Sequence, residues 1–217
     1  MEELSQQVND LLQSRRYDPD ILIDLERYVE AQCLEGAYDG DANLACLKLY
    51  QFYPEKTNFS IVSKILLKAL AALPSSDFIS CLYLLGEKTQ REVPVATVIS
   101  WADALESGNF VDFWNSLQNN KDIIKGLPGI EDSFREFMLA VISRTYFRIH
   151  LSVLQKLLCL SQDDLIRFLN KHGMTNITND ILQFPSTEEN QPRPKTIGEQ
   201  LPLRKVLESL SNYSIHS

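Results

Sequence analysis

Residues that start helices recur at nearly fixed intervals through the first 127 positions of the chain. One series has intervals of 39 and 36 residues and consists of Pro19, Asn58 and Pro94. A second has intervals of 34 residues and consists of Asp41, Ser75 and Asn109. Between these starts, apolar residues recur every three or four positions, as on a helix that buries one face. Helix pairs at such a period are typical of a solenoid, in which each pair packs against its neighbours.

The pattern changes at Pro128-Gly129, where we expect a domain boundary. A long helix is predicted from Ile130 to Arg148, and a short helix with a leucine stripe follows it. A third helix begins at Ser161, which forms a capping-box pair with Asp164 three residues later. It is expected to end at Lys171–Gly173, with His172 as a helix-end cation or hydrogen-bond donor.

A short apolar segment after this helix predicts a β-strand from Asp180 to Phe184. Its side chains alternate between two faces, Leu182 and Phe184 on one, Ile181 and Gln183 on the other. Because Pro185 has no N–H to donate to a ladder, we predict that this strand lies at the edge of its sheet. An edge strand offers unpaired backbone groups to which another protein can add a strand.

The remaining sequence predicts one more strand and one more helix. Thr196 and Ile197 are expected to return as the second strand of the ribbon, after a polar loop. A final helix is predicted from Leu203 to Leu210, opened by Pro202. Helices joined by a tight turn and followed by a β-ribbon have the plan of a winged helix.

These elements together predict a mostly α-helical protein with two domains. We expect a HEAT- or TPR-like helix-pair solenoid over residues 1–128, then a linker helix and a winged-helix domain over residues 129–213, and a tail at 214–217. The absence of a flexible segment between the domains predicts one rigid body.

The residues that usually carry out catalysis or hold metals are sparse. There are three histidines, none with a cysteine or carboxylate at metal-ligand spacing, and the sequence contains neither a phosphate-binding loop nor a glycine-framed serine. We therefore predict no catalytic residue, no metal and no cofactor. The four cysteines, which lie within helical patterns, are expected to be buried, reduced thiols. The chain lacks a run of eighteen apolar residues and an apolar leader, so we expect a cytoplasmic protein.

A winged helix also raises the alternative of nucleic-acid binding. Residues 1–130 carry 11 Lys and Arg against 19 Asp and Glu, whereas residues 131–217 carry ten of each, so the net charge of −8 lies entirely in the first part. A domain that binds nucleic acid needs a basic face to displace counterions from phosphates. The candidate recognition helix instead starts with Asp163 and Asp164, so we expect no tight, independent binding. The aromatic residues Tyr50, Phe52 and Tyr53 are expected to pack in the core rather than to stack on bases.

Helix pairs that lead into a terminal winged helix resemble the PCI domain, the module shared by the proteasome lid, the signalosome and initiation factor scaffolds. More specifically, several segments resemble the k-subunit family of eukaryotic translation initiation factor 3. The longest are Leu25–Gln32, Ala37–Ala45, Leu47–Phe52 and Ile65–Leu70, with further matches at Phe113-Trp114, Glu131–Ser133, Lys171 and Gly173.

The resemblance implies a non-catalytic interaction subunit of that factor, docked through a sister subunit, subunit l. The factor binds the small ribosomal subunit and supports messenger recruitment. PCI subunits assemble through their winged helices, so we expect the ribbon and the final helix to contact the partner. The candidate partner-binding residues are Ile181, Leu182, Gln183, Phe184, Leu203 and Leu207.

Overall fold

The computed structural model describes residues 2–191. Eleven α-helices and three short β-strands lie within these residues, and the strands form one sheet near the end of the described chain. The predicted fold class, a mostly helical chain with helix pairs followed by a winged helix, is confirmed.

Eight helices precede residue 128. They are α1 (Glu2–Arg15), α2 (Leu22–Glu35), α3 (Gly40–Phe52), α4 (Phe59–Ala71), α5 (Asp77–Leu84), α6 (Glu87–Gln90), α7 (Val93–Glu106) and α8 (Phe110–Asn119). Two 3₁₀ turns lie between them, at Pro19–Ile21 and Pro54–Lys56, and a third follows α8 at Lys121–Ile124. The sequence did not predict the single-turn helix α6.

Side chains at some helix starts accept hydrogen bonds from the first backbone N–H groups, whereas Asn109 at the start of α8 does not. The Asn58 side chain accepts from the N–H of Ser60 at the start of α4. The predicted start at Asp41 is two residues late, because Asp39 caps α3 by accepting from the N–H of Ala42. These caps satisfy donors that have no partner inside the helix.

A buried pair of amide side chains fixes how α2 and α3 lie against each other. Gln32 Nε2 donates to Asn43 Oδ1 at 3.0 Å, and Asn43 Nδ2 donates back to Gln32 Oε1 at 3.2 Å. The same Gln32 oxygen accepts from the N–H of Asp39 in the connecting loop. Both side chains are buried, and a buried amide without a partner would cost about 1–3 kcal/mol. Sliding one helix along the other would break both bonds, so the pair selects one register.

The helices that precede residue 128, which we call the helical body, bury large apolar side chains along their whole length. Trp101, Phe113 and Leu66 have essentially no exposed surface, and Trp114 is only 3% exposed, so Phe113 and Trp114 belong to the packing. Phe113 contacts Trp101 and Trp114 edge to face, with ring centroids 6.1 and 5.1 Å apart. These rings connect α7 and α8 in one core.

The winged helix follows in the order helix, strand, helix, helix, strand, strand. Its elements are α9 (Ile130–Thr145), β1 (Arg148–His150), α10 (Leu151–Leu158), α11 (Gln162–Lys171), β2 (Ile177–Thr178) and β3 (Ile181–Gln183). The helix predicted from Ile130 to Arg148 is therefore too long. It ends at Thr145, and the chain becomes extended at Tyr146, so that Arg148 lies in a strand.

Shortening a fully buried side chain of α4 tests the position of the core. Leu66→Ala should lower the free energy of unfolding by about 2–5 kcal/mol, because the lost methyl groups leave a cavity that the neighbours fill only in part. Leu34 on α2, which is 70% exposed, is the matched control, and Leu34→Ala should change stability by about 0.5 kcal/mol or less. Urea unfolding of both variants measures the difference. Equal effects would contradict the assigned helix faces.

The four thiols should differ in reactivity. Cys33, Cys46 and Cys81 are buried, as predicted, whereas Cys159 is exposed. Burial raises the pKa of Cys46 and of Cys81 to about 12, so neither forms the reactive thiolate near neutral pH. A colorimetric thiol reagent at pH 8 should label Cys159 rapidly and the other three only after unfolding in urea. Fast labelling of more than one thiol in the native protein would contradict this burial pattern.

Candidate protein-interaction site

The order of the strands corrects the predicted position of the docking strand. The sheet has the order β1-β3-β2, and both neighbours pair with β3 in antiparallel fashion. The prediction that the Asp180–Phe184 strand lies at an edge is therefore wrong, since β3 is the central strand. Pro185 does not interrupt the ladder because it lies two residues beyond the end of β3, after Phe184 has donated its N–H to the carbonyl of Phe147.

β2, the strand that forms a hairpin with β3, was not predicted from the sequence. β2 and β3 are joined by the two-residue turn Asn179-Asp180, whose φ angles are 50° and 60°. A turn with two positive φ values matches the twist of the flanking strands, and asparagine and aspartate tolerate this conformation. The predicted second strand at Thr196 and Ile197 and the predicted helix from Leu203 to Leu210 lie outside the described residues, as does the tail at 214–217.

The candidate contact residues on β3 divide between the core and the surface. Leu182 and Phe184 are 0% and 2% exposed, and they attach the sheet to the helices beneath it. Ile181 and Gln183 are half-buried and face the other side. The predicted alternation of faces is thus confirmed. Leu203 and Leu207 lie outside the described residues.

Among residues 2–191, several backbone groups of β1 at the outer edge of the sheet have no hydrogen-bond partner. In an antiparallel ladder, residues alternate between pairs that exchange hydrogen bonds and pairs that do not. The Phe184 N–H bonds to Phe147 and the Leu151 N–H bonds to Asp180, so Arg148 and His150, opposite Gln183 and Ile181, are the non-bonded positions. The N–H groups of Arg148 and His150 and the carbonyl of Arg148 therefore point away from β3.

The edge at β2 is less suited to pairing with another strand. By the same alternation, Ile177 is the residue whose backbone points outward, since the Gln183 N–H bonds to the carbonyl of Asn176. The Ile177 N–H already bonds to the carbonyl of Thr175 at 2.9 Å. β2 also has only two residues. Within residues 2–191, β1 is thus the edge with both donors and an acceptor available.

An apolar groove lies beside the β1 edge. It has a volume of about 270 Å³, and its lining comprises Tyr146, Arg148, Ile149, His150, Val153 and Ile181. Tyr146 is 47% exposed and Val153 is 46% exposed, although both are large enough to gain from burial. We call the outer edge of β1 and this groove the β1 surface. Its backbone groups can form hydrogen bonds with an added strand, and the apolar groove can accept side chains of that strand.

The orientation of the β1 surface depends on a junction between α10 and the helical body. The last carbonyls of α10 have no partner inside their own helix. Trp114 Nε1 on α8 donates to the carbonyl of Leu157 at 3.0 Å, and Arg135 Nε on α9 donates to the carbonyl of Leu158 at 3.3 Å. Two side chains from neighbouring helices therefore complete the hydrogen bonding at the end of α10.

Acidic residues and an aromatic ring hold Arg135 in place. Its guanidinium donates to Glu131 at 3.0 Å and to Asp132 at 2.8 Å, and it lies 4.9 Å from the ring centroid of Trp114. The Arg135 side chain is only 13% exposed. A buried guanidinium needs such partners, because an unpaired charge would be costly to bury. Glu131 and Asp132 belong to a segment that resembles the k-subunit family. Arg135, whose charge they neutralise, was not singled out from the sequence.

The outer face of α11 is poor in free positive charge. Ser161 caps α11 as predicted, although its hydroxyl both accepts from the Asp164 N–H and donates to the Asp164 carboxylate. Arg167 lies 3.8 Å from that carboxylate, and Lys171 lies 3.5 Å from Glu136. Both cations of the candidate recognition helix therefore lie near carboxylates, which weakens their attraction for phosphate, although both side chains are largely exposed.

The histidine predicted at the end of α11 lies there, but its Nε2 atom makes no hydrogen bond. His172 follows the last residue of α11, and its Nε2 is buried 3.6 Å from Glu136 without a hydrogen-bond partner in the described part of the chain. Among residues 2–191, no three His, Cys, Asp or Glu side chains lie together in a way that could hold a metal ion. No helix of this part of the chain is both long and apolar enough to cross a membrane.

Comparisons with known proteins agree on one family. The profile of the CSN8/PSMD8/EIF3K family matches residues 56–196. Eukaryotic translation initiation factor 3 subunit K from Xenopus tropicalis is 40% identical over 192 residues, which is 88% of each chain. The human subunit K is 38% identical over the same shares, and that of Drosophila grimshawi is 35% identical over 88% of this chain and 86% of its own.

Removal of one indole N–H tests the junction at α10. Trp114→Phe should lower the free energy of unfolding by about 1–3 kcal/mol, because the Leu157 carbonyl loses its donor. Relative to the parent protein, amide hydrogen exchange should accelerate more in α10 than in α2. Trp101→Phe is the matched control, since it removes an indole N–H that bonds to Ser116 instead. If both variants accelerate exchange in α10 equally, Trp114 does not have the specific role assigned here.

Proposed function

This chain belongs to the CSN8/PSMD8/EIF3K family, and from that membership we propose that it is a K-type subunit of eukaryotic translation initiation factor 3. The observation that carries this proposal is the 38–40% identity to vertebrate subunits of that name over 88% of this chain and of theirs. A match across most of both lengths supports a shared role better than a match to one domain.

We place the role of the subunit in protein–protein contact rather than in catalysis. The polar side chains described above are used within the fold, as helix caps, as the Gln32–Asn43 pair and as the Arg135 junction. Such groups stabilise one arrangement of helices and leave few reactive groups in a cleft. In this proposal the subunit works in the cytoplasm and supports binding of the factor to the small ribosomal subunit and messenger recruitment.

We further propose that residues 129–213 act as one docking module and that the β1 surface is its main contact with a sister subunit, subunit l. A strand of the partner would pair with Arg148 and His150, and its side chains would enter the groove beside Ile181. Gln183 would lie at the rim, while Leu182 and Phe184 would hold the sheet in position from the core. A stable interface buries about 1,200–2,000 Å² in total, which is more than one strand supplies. We therefore keep Leu203 and Leu207 as expected further contacts.

The alternative, a winged helix that binds nucleic acid on its own, receives less support. Arg167 and Lys171 already face carboxylates, and a net charge of −8 opposes the approach of a polyphosphate chain. One outcome of the following experiment would favour this alternative.

Affinity capture of the tagged full-length chain from eukaryotic cytosol tests the proposal. The other subunits of initiation factor 3, subunit l among them, should be recovered in near-stoichiometric amounts and identified by mass spectrometry. Arg148→Pro should reduce that yield, because proline removes the outward N–H that an added strand would bond. The β1–β3 ladder does not use this N–H, so circular dichroism of the variant should match the parent.

Arg148→Ala is the matched control, because it removes the same side chain and keeps the N–H. A loss of partners in the proline variant alone would identify backbone pairing at β1. If the proline variant retains the full yield, docking does not use this edge, although the family role stands. If nuclease-sensitive nucleic acid is recovered without any subunit of the factor, the proposed function is wrong and the alternative is favoured.

A further inference from the structure

Two exposed aromatic rings contact each other on the helical body, in a part of the sequence far from the winged helix. Tyr17 follows the end of α1 and is 63% exposed, and Phe52 ends α3 and is 51% exposed. Their ring centroids are 6.0 Å apart with an interplanar angle of 62°, an edge-to-face arrangement. Phe52 was expected to pack in the core with Tyr50. Tyr50 is buried, but Phe52 is at the surface.

Two lysines lie over the rings of this region. Lys48 Nζ is 5.0 Å from the ring centroid of Phe52, and Lys56 Nζ is 5.8 Å from that of Tyr53. We call Tyr17, Lys48, Phe52, Tyr53 and Lys56 the aromatic patch. Lys48 also donates to the side-chain oxygen of Gln51 at 2.8 Å. An ammonium group has three donors, so contact with a ring and one amide leaves donors for another acceptor.

The neighbouring arginines differ from these lysines because each is neutralised within the protein. Arg15 pairs with Asp18, and Arg16 pairs with Asp41. Within the described residues, neither Lys48 nor Lys56 lies within 4 Å of a carboxylate. The aromatic patch thus combines the exposed rings of Tyr17 and Phe52 with two ammonium groups that have no carboxylate within 4 Å in residues 2–191, although Lys56 is near enough to Asp18 to help lower the pKa of that carboxyl.

We propose that the aromatic patch binds an extended acidic segment of a partner protein, in which Leu or Phe side chains alternate with Asp or Glu. The apolar side chains of the segment would cover Tyr17 and Phe52, while its carboxylates would accept hydrogen bonds from Lys48 and Lys56. This surface is separate from the β1 surface, and the inference does not depend on the proposed function.

A nucleic acid is a poorer occupant of the aromatic patch. A stacking base needs an open ring face, but Lys48 covers one face of Phe52 and the edge-to-face contact with Tyr17 takes up more of the ring. The long-range field also distinguishes the two ligands. A peptide in which every second residue is acidic carries about half as many negative charges as an oligonucleotide of the same length, so the acidic helical body repels the peptide less.

The test uses the full-length chain labelled with ¹⁵N and three unlabelled probes. The first probe is a 12-residue peptide of alternating Glu and Leu, the second has Lys in place of Glu, and the third is a 12-nucleotide oligo(U). The acidic peptide should shift amide signals near Tyr17, Lys48 and Phe52, and the basic peptide should not. The double variant Lys48→Glu with Phe52→Ser should weaken binding of the acidic peptide about tenfold or more.

A matched control uses another exposed aromatic residue and another exposed lysine. Tyr83 is 83% exposed and Lys88 is also exposed, so Lys88→Glu with Tyr83→Ser makes the same kinds of change outside the patch. This control should leave the affinity for the acidic peptide within about twofold of the parent, as expected for residues outside a contact. Circular dichroism should show that both double variants are folded.

The proposal is overturned if the acidic peptide fails to shift these signals or shifts another region instead. Equal weakening by the control variant would also overturn it, because the effect would then come from overall charge. Stronger shifts at the patch with oligo(U) than with the acidic peptide would assign the surface to nucleic acid.

Discussion

The hydrogen bonding at the end of α10 determines how the winged helix sits on the rest of the chain. A helix leaves its last carbonyls without partners, and a helix end that is buried against other elements cannot rely on water to satisfy them. Here Trp114 from α8 and Arg135 from α9 donate to the carbonyls of Leu157 and Leu158. A hydrogen bond from a charged donor contributes about 1.5–3 kcal/mol. That value alone does not make the fold stable, but it penalises every arrangement that separates α10 from α8 and α9. The β1 surface therefore keeps a fixed direction relative to the helical body.

Apolar burial and buried polar pairs have different roles in this molecule. Side chains such as Trp101 and Phe113 supply most of the driving force, because burial of apolar surface is favourable in many similar arrangements. The Gln32–Asn43 pair and the Arg135 group exclude most of those arrangements, since each leaves a donor, an acceptor or a charge unpaired when its helix shifts. Several segments that resemble the k-subunit family contain these polar groups, among them the one that ends at Gln32. The family resemblance thus includes positions that specify the helix register, and not only a pattern of leucines.

Much of the helical part could be predicted from the sequence, because its signals are local. Asn58 caps a helix by accepting from the N–H two residues later, and Ser161 by accepting from the N–H three residues later. The sheet could not be predicted in the same way. β2 has two residues and β3 has three, too few for a periodic pattern to appear, and the pairing of Arg148 with Gln183 joins positions far apart in the chain. One local signal was available, since Asn179-Asp180 suits a two-residue hairpin turn. Phe52 was wrongly predicted to be buried. It is the last residue of α3, where the apolar face of that helix reaches the protein surface.

The two candidate surfaces share one way of holding positive charge. Arg148 lies 5.4 Å from the ring centroid of Phe147, as Lys48 lies 5.0 Å from that of Phe52. In a protein of net charge −8, several exposed cations, among them Arg15, Arg16 and Arg91, have a carboxylate within 4 Å, and a new acidic partner must compete with it. At an exposed site, contact of a cation with an aromatic ring contributes about 0.5–1 kcal/mol, and it leaves the N–H donors of the cation available for another acceptor. Such a cation can bind a partner without first breaking an ion pair. This difference favours the β1 surface and the aromatic patch as contact sites over α11, whose cations already face Asp164 and Glu136.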